Sequence, residues 1–269
     1  MSSSDHFTDS YQQRFGGIIR LYGTQAASTL LKSHILIIGI GGVGSWVAEA
    51  LARSGIGTIT LMDLDDICVT NTNRQVHTNC NTVGHPKSET MRERLNDINP
   101  EINSHIINDF IDKHNVTDYV KNDFSLVIDA IDNAIEKTEL IAYCTKNNIP
   151  IISIGSSGGK KDPSQITYGD LKKTTGDILF AKIRNNLRRH HGFSRDTKKS
   201  FGVETIYSAE QMTYPDNQGE TCQSREFLGE GEKLDCSGGY GAATMVTASF
   251  GFLAATRAIE HIIKKQKNK

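Results

Sequence analysis

The chain has 269 residues, 37% hydrophobic and 23% charged, with 30 Lys and Arg against 31 Asp and Glu for a formal net charge of −1. That length and balance exclude wholesale disorder and predict one large domain, or one domain with an appendage; with no overall basic field, any nucleic-acid partner has to be met by a local patch. The five cysteines, Cys68, Cys80, Cys144, Cys222 and Cys236, form no CxxC pair, so neither a disulfide framework nor the usual structural zinc site is expected, and the polar opening Met1 to Arg14 predicts a cytoplasmic protein.

In chain order, Tyr11 to Tyr22 is an amphipathic stretch interrupted by Gly16-Gly17. His34 to Gly39, HILIIG, is a β-branched run closing on glycine and reads as a strand buried on both faces. GIGGVG (Gly39 to Gly44) then opens a helix over Ser45 to Ser54, and a second strand over Thr58 to Met62 ends at Asp63. Strand, glycine turn, helix, strand and acid make a βαβ unit with a right-handed crossover. Further elements are predicted as a helix over Lys87 to Asn99, a strand over Ile102 to Ile107 and a short helix over Val116 to Lys121. A strand over Ser125 to Asp129, a helix over Ala134 to Asn147 and a strand over Ile149 to Ile154 follow, the last ending in a flexible GSSGG (Gly155 to Gly159).

This alternation predicts an α/β fold with a doubly wound, Rossmann-like, mostly parallel sheet. The expected division is an N-terminal helical segment over 1–30, a nucleotide-binding core over 31–160, and a less regular part over 161–269 that completes the site. The last part contains Lys182 to Lys199, with seven Lys or Arg against Asp196 alone, a candidate phosphate-binding face that as readily reads as a solvated surface. It also contains an uncharged run from Cys236 to Thr256. Its glycine-rich start shortens the helix to about Ala242 to Ile263, and Thr244, Thr247, Ser249 and Gly251 make it a buried packing helix rather than a membrane span.

The chemistry concentrates around the glycine loop. Gly39, Gly41, Gly42 and Gly44 leave backbone amides and a helix N-terminus open to a phosphate. Asp63 fits a ribose-hydroxyl acceptor. Hydride transfer needs few charges near the phosphates, whereas phosphoryl or adenylyl transfer needs cations, and Arg74 and Lys87 supply them. Asn71 and Gln75, four residues apart, are placed to orient phosphates or an attacking carboxylate. Asp132, beyond a buried strand, is a candidate Mg²⁺ ligand on a triphosphate, or else a helix N-cap.

GIGGVG, the acids Asp63 and Asp65, the NxxRQ of Asn71, Arg74 and Gln75, Lys87, and DAIDN at 129–133 resemble the ubiquitin-activating-enzyme-like superfamily of ThiF and MoeB type. Within it, RFGGIIRLYG, GGVGSWVAEALARSGIG, DDICVTNTNRQ, LIAYC and DCSGGYGAATMVTASFGF are similar to the tRNA threonylcarbamoyladenosine dehydratases along nearly the whole chain. The resemblance implies ATP and Mg²⁺, a threonylcarbamoyladenosine-bearing tRNA as substrate, adenylation of its threonine carboxylate, and cyclisation with loss of water. It also implies a homodimer, and an association with a cysteine desulfurase and its sulfur-acceptor protein. The alternative it leaves is adenylation of the C-terminus of a ubiquitin-like sulfur-carrier protein.

The sequence departs from the superfamily in two places. It lacks the paired CxxC of zinc-binding relatives, so no zinc is expected, and the relatives' N-terminal RxxR is here RFGG, leaving Arg14 or Arg20 to reach a partner's ATP. Cys236 is a candidate nucleophile or sulfur-accepting thiol, against the plain reading of a buried cysteine. Cys68, Cys80 and Cys144 are expected to be packing residues, and Tyr168, Tyr207 and Tyr214 are candidates to stack on an extruded base.

Overall fold

The apolar run at His34–Ile38 forms β1, and its alternate side chains divide between two cores: Ile35 and Ile37 face one, Leu36 and Ile38 the other. The computed structural model describes residues 7–196, 198–216, 218–223 and 241–267. Before β1 lie α1 (Asp9–Tyr22) and α2 (Thr24–Leu31); after it come α3 (Gly44–Arg53), β2 (Thr58–Met62), α4 (Lys87–Ile98), β3 (Asn103–Ile107), α5 (Val116–Tyr119), β4 (Leu126–Asp129), α6 (Ala134–Lys146) and β5 (Ile151–Ile154). These follow the expected alternation to within two residues at nearly every end.

The chain beyond residue 160 is more regular than its sequence pattern suggests. It adds β6 (Ile166–Asp170), α7 (Ile178–His190) and β7 (Glu204–Ser208) to the same layers, then a two-stranded ribbon of β8 (Tyr214–Pro215) and β9 (Thr221–Cys222), and α8 (Thr244–Lys267). The seven-stranded sheet has the order β3-β2-β1-β4-β5-β7-β6. All neighbours are parallel except β6, an antiparallel edge strand on β7. Its sequence, ITYGD, has no buried residue, which is why no apolar run marks it.

Helices α3, α4 and α8 cover one face of the sheet, and α5, α6 and α7 the other. Glu49 of α3 binds Arg53 at 2.7 Å and Arg94 of α4 at 2.7 Å, which fixes the two helices side by side. α8 lies directly on α3. A Cβ on Gly251 would come within 2.7 Å of the Trp46 Cβ and 3.0 Å of the Val43 carbonyl oxygen, so the helices meet at backbone distance. α8 is thus the expected packing helix, running from Thr244 to Lys267 with Val246, Phe250, Ala254, Ala258 and Ile262 buried. No helix among the described residues is long and apolar enough to cross a membrane.

α1 runs unbroken through Gly16-Gly17, against the expected interruption. The Thr8 side chain caps it, and buried Tyr11 and Phe15 hold it down, the Tyr11 hydroxyl donating to the Gly55 carbonyl at 2.9 Å.

Two helical glycines have opposite roles. Gly251→Ala drives a methyl into Trp46 and is expected to cost about 1–3 kcal/mol. Gly17→Ala, on an exposed turn with nothing within 4 Å of the new Cβ, is expected to stabilise by up to about 1 kcal/mol. Urea unfolding midpoints of both variants check the signs.

Candidate active site

In a doubly wound sheet the ligand crevice opens at the carboxyl edge where successive connections depart to opposite faces. Here that point lies between β1 and β4, followed by α3 and α6 on opposite faces. Gly39 has φ +88°, and a Cβ there would meet the Ala130 carbonyl oxygen at 2.9 Å; a Cβ on Gly44 would lie 1.8 Å from the Gly39 oxygen. These two glycines let the turn close against the residue after β4. Gly41 and Gly42 lie beside Gln75 and Arg74 respectively. α3 begins with no side-chain cap; the Ser45 and Trp46 amides donate to the Gly41 and Val43 carbonyls, so what the helix start offers an anion is chiefly the positive end of its dipole.

Asp63 is buried, and its carboxylate accepts from Ile40 N at 2.6 Å and Asp65 N at 2.9 Å. It ties the glycine loop to the end of β2, a positioning role the sequence reading did not include. Burial raises its pKa, against the opposing pull of the Lys87 charge and the two amides. Lys87, the first residue of α4, is buried and pairs with Asp65 at 2.7 Å, whose side chain is 54% exposed.

The segment between Cys68 and Thr78 docks on α8. Asn71 spends its side-chain oxygen on Cys68 N at 2.9 Å, closing a 3-10 turn. Arg74 donates to the Thr70 carbonyl at 2.9 Å and to Asn73 Oδ1 at 3.1 Å, while its own carbonyl accepts from Trp46 Nε1 at 2.9 Å. Asn73 Nδ2 donates to the Ala242 carbonyl at 2.8 Å, and Thr244 Oγ1 donates to the Asn73 carbonyl at 2.6 Å. The start of α8 therefore braces the arginine. Gln75 Oε1, Thr78 Oγ1 and both ring nitrogens of His77 are buried without a hydrogen-bond partner among the described residues. Burial, and then the charges of Lys87 and Arg94, push the His77 pKa down to about 4.

The turn after β4 rests on a residue the sequence reading missed. Lys137, fully buried on α6, donates to Asp129 Oδ1 at 2.8 Å, the Asp129 carbonyl at 3.0 Å and the Ile131 carbonyl at 2.9 Å, while Ser153 Oγ donates to Asp129 Oδ2 at 2.7 Å. Burial disfavours charge on both partners, raising the carboxyl pKa and lowering that of the amine. A lysine beside Leu140 and Ile141 on an apolar helical face was the available signal. Asp132 is exposed on this braced turn. It is not the N-cap of α6; Asn133 is, accepting from Ile135 N at 2.9 Å. Among the described residues no group of three or more His, Cys, Asp or Glu could hold a metal.

The GSSGG segment, expected to be flexible, is pinned. Gly155 N donates to the Ile206 carbonyl, Ser156 N to Asp177 Oδ2, and Gly159 N to the Gly241 carbonyl at 2.7 Å, while the adjoining buried Lys160 donates to the Ser208 carbonyl at 2.8 Å. Cys236 lies outside the described residues. Cys144 is buried and burial pushes its pKa up to about 12, whereas Cys68 and Cys80 are exposed in the excursion between β2 and α4, not packed as expected. Tyr168 is exposed with the Arg257 guanidinium 4.0 Å from its ring centroid; Tyr214 is buried, its hydroxyl toward Met212 Sδ, and is removed as a base-stacking candidate. Arg14 and Arg20 are exposed on α1, which packs on Gly55 beyond the far end of α3 from the glycine loop.

The sequence model of the ThiF family matches residues 15–269. The chain belongs to the ThiF family. It is 47% identical over 258 residues to the tRNA threonylcarbamoyladenosine dehydratase of Escherichia coli (strain K12), covering 96% of each chain. The solved structure of TcdA (CsdL) superposes with a TM-score of 0.91 at 45% identity, covering 99% of this chain and 100% of that one. The E. coli dehydratase solved in complex with ATP superposes at 0.86 with 44% identity, covering 98% and 99%. Within the ThiF family member described here, the glycine loop, Arg74 and Lys87 converge at one sheet edge, whereas Asn71 and Asp63 serve first as loop braces.

Two variants test the supports. Lys137→Met leaves a buried carboxylate unpaired and is expected to cost about 3–5 kcal/mol, whereas adding Asp129→Asn recovers much of the loss; denaturant unfolding of the single and double variants reads the difference. Because the His77 pKa is depressed from 6.5 to about 4, the unfolded chain binds a proton there that the native state refuses. Stability therefore falls as pH drops from about 6.5 to 4, by up to about 3 kcal/mol from this residue. His77→Gln flattens that limb of a stability–pH curve.

Proposed function

We propose that the protein catalyses the ATP-dependent dehydration of threonylcarbamoyladenosine next to the anticodon of tRNA. The observation that carries this is the junction of an uncapped helix N-terminus, Arg74 and Lys87 at the β1/β4 switch point, in a chain matched over 96% of its length by a dehydratase of that name. The threonine carboxylate attacks the α-phosphorus of ATP and pyrophosphate leaves. The carbamoyl group of the same modification then closes on the activated carbon and AMP leaves, carrying the oxygen that would otherwise have been lost as water. No acceptor protein and no external nucleophile are required, so the site's task is to hold two charged groups and keep water out.

In this reading the positive end of α3 and Gly41–Gly42 face phosphate, Arg74 neutralises charge at the transferring phosphorus, and Lys87 exchanges the exposed Asp65 carboxylate for a phosphate oxygen. Asn71 and Gln75 line the same segment, and the buried unpaired Gln75 oxygen has an acceptor to offer. Asp132 would hold Mg²⁺ on the triphosphate; a single exposed carboxylate suits an ion that takes one or two carboxylates with phosphate oxygens and water, and the ion would offset phosphate charge. α1 is anchored by Tyr11 to Gly55, past the end of α3 away from the glycine loop, which suits a homodimer in which Arg14 or Arg20 reaches the partner's ATP. A cytoplasmic location fits a tRNA substrate. A cysteine desulfurase and its sulfur acceptor are further partners of this reading, with Cys236 the thiol they would address.

The experiment is to incubate the protein with ATP and Mg²⁺ and either threonylcarbamoyl-modified tRNA or a GlyGly-ended carrier protein. AMP and a nucleoside lighter by one water are expected with the tRNA; AMP only with the carrier would replace this reading by carrier adenylation. Arg74→Ala and Lys87→Ala are each expected to lower AMP formation by about 10²–10³ with near-UV dichroism unchanged, and retained activity would remove them from the site.

A further inference from the structure

A groove of about 760 Å³ lies on the α5–α6–α7 face, lined by residues of separate segments that include Lys113, Lys146, His190 and His191. Its one lining carboxylate, Glu139, is already paired with His191 at 3.2 Å. Phe193 and Phe201, edge to face at 4.9 Å, close one side. Lys113, Lys146 and His190 are exposed. Asp112, next to Lys113, accepts from the His114 and Asn115 amides, which together with the Lys113 charge hold its pKa down.

Helix dipoles account for part of this charge. Lys146 is at the carboxyl end of α6, where a cation is favoured by up to about 1 kcal/mol, and His190 is in the last turn of α7. That does not explain Lys113, which precedes α5 and comes to the same groove from another connection. The basic run also divides here. Arg184 donates to Thr174 Oγ1 and Arg188 lies 5.5 Å from the Phe201 ring centroid, so both are engaged with the protein, while Lys182 and Arg189 stay exposed along α7.

The groove is connected to the crevice by construction. α6 starts at the Asn133 cap beside Asp132, and α7 starts at Asp177, which accepts from Ser156 N after β5. Both helices have 13 residues, about 20 Å, and both end at the groove. A polyanion seated with one modified nucleotide in the crevice therefore meets these lysines about 20 Å away, several nucleotides along its backbone.

We propose that this groove binds the phosphate backbone of the tRNA stem that carries the modified loop, so that the substrate is held at two places, by its base in the crevice and by its stem at Lys113, Lys146 and His190. The inference rests on the tRNA reading above and adds the surface that distinguishes a structured tRNA from a short modified oligonucleotide.

The test is Lys113→Glu/Lys146→Glu, with Lys264→Glu/Lys265→Glu on α8 as a control of equal charge change. Fluorescence anisotropy between 50 and 200 mM salt is read for modified tRNA and for a single-stranded modified loop oligonucleotide. The groove variant is expected to weaken tRNA binding at least tenfold and to lower the slope of log K against log[salt] by about two, with oligonucleotide binding, ATP binding and thermal midpoint unchanged. The control is expected to leave tRNA binding as it was. Unchanged tRNA affinity and slope would overturn the proposal, including where the variant instead loses an acidic protein partner, as would an equal loss for tRNA and oligonucleotide. Dehydration by the unsubstituted protein is measured separately, so failure of the functional reading is distinct from failure of the groove. Lys113→Gln/Lys146→Gln, expected to give a smaller loss of the same kind, guards against reversal-induced misfolding.

Discussion

The glycine turn after β1 must pass against the Ala130 carbonyl with no room for a Cβ at Gly39 or Gly44, and the remaining geometry of the site follows from that approach. It brings the start of α3 over the end of β4, so that two connections leaving to opposite faces meet at one edge. Asp63 locks the turn from the β2 side by taking the Ile40 amide. Lys137 locks the opposing turn from the β4 side, through two carbonyls and the Asp129 carboxylate. Each lock places a buried charge beside the crevice, and each is compensated by fixed hydrogen bonds. Such groups stabilise poorly for their cost but hold geometry well, and a phosphate site needs the geometry.

The third support comes from far along the chain. α8 approaches α3 at backbone distance through Gly251, and its first turn binds Asn73 and the Arg74 carbonyl through Thr244 and Thr247. Arg74 is thus positioned by a helix that begins 170 residues later. This explains the uncharged, small-residue composition of α8 without a membrane: a wider or charged helix could not sit on Val43 and Trp46.

How much of this was legible in the sequence follows from where each signal is stored. Strands β1 and β4 are nearly continuous apolar runs because both faces are covered, β2 and β5 are apolar runs interrupted only by Thr58, Thr60 and Ser153, and the glycine loop and the NxxRQ segment are local patterns, so all could be read directly. Edge strand β6 has an exposed, glycine-containing sequence and could not. The burial of Lys137 and His77 is a tertiary fact, since a lysine or histidine in isolation reads as surface. Cys68 and Cys80 reverse the statistical expectation for free cysteine because the excursion between β2 and α4 keeps them outside. The groove was only half visible: the α7 run stood out, but Lys113 and Lys146 come from other connections, and two of the arginines in the run are turned inward.

The cations in the two places are prepared for different work. In the crevice, Lys87 is 9% exposed and held by Asp65, and Arg74 is held by Thr70 and Asn73. On the proposed reading their charges are oriented before a triphosphate would arrive, and the Asp65 carboxylate that Lys87 would release is exposed enough to return to water at little cost. That arrangement favours stabilisation of charge that develops during reaction, because little reorganisation is needed at the moment of transfer. In the groove, Lys113 and Lys146 remain solvated, and a contact of that kind gains from released counterions rather than from fixed geometry. Affinity for a long polyanion can therefore be altered at the groove with little effect on chemistry, whereas a change at Asp63, Lys137 or the α8 brace moves the reacting groups themselves.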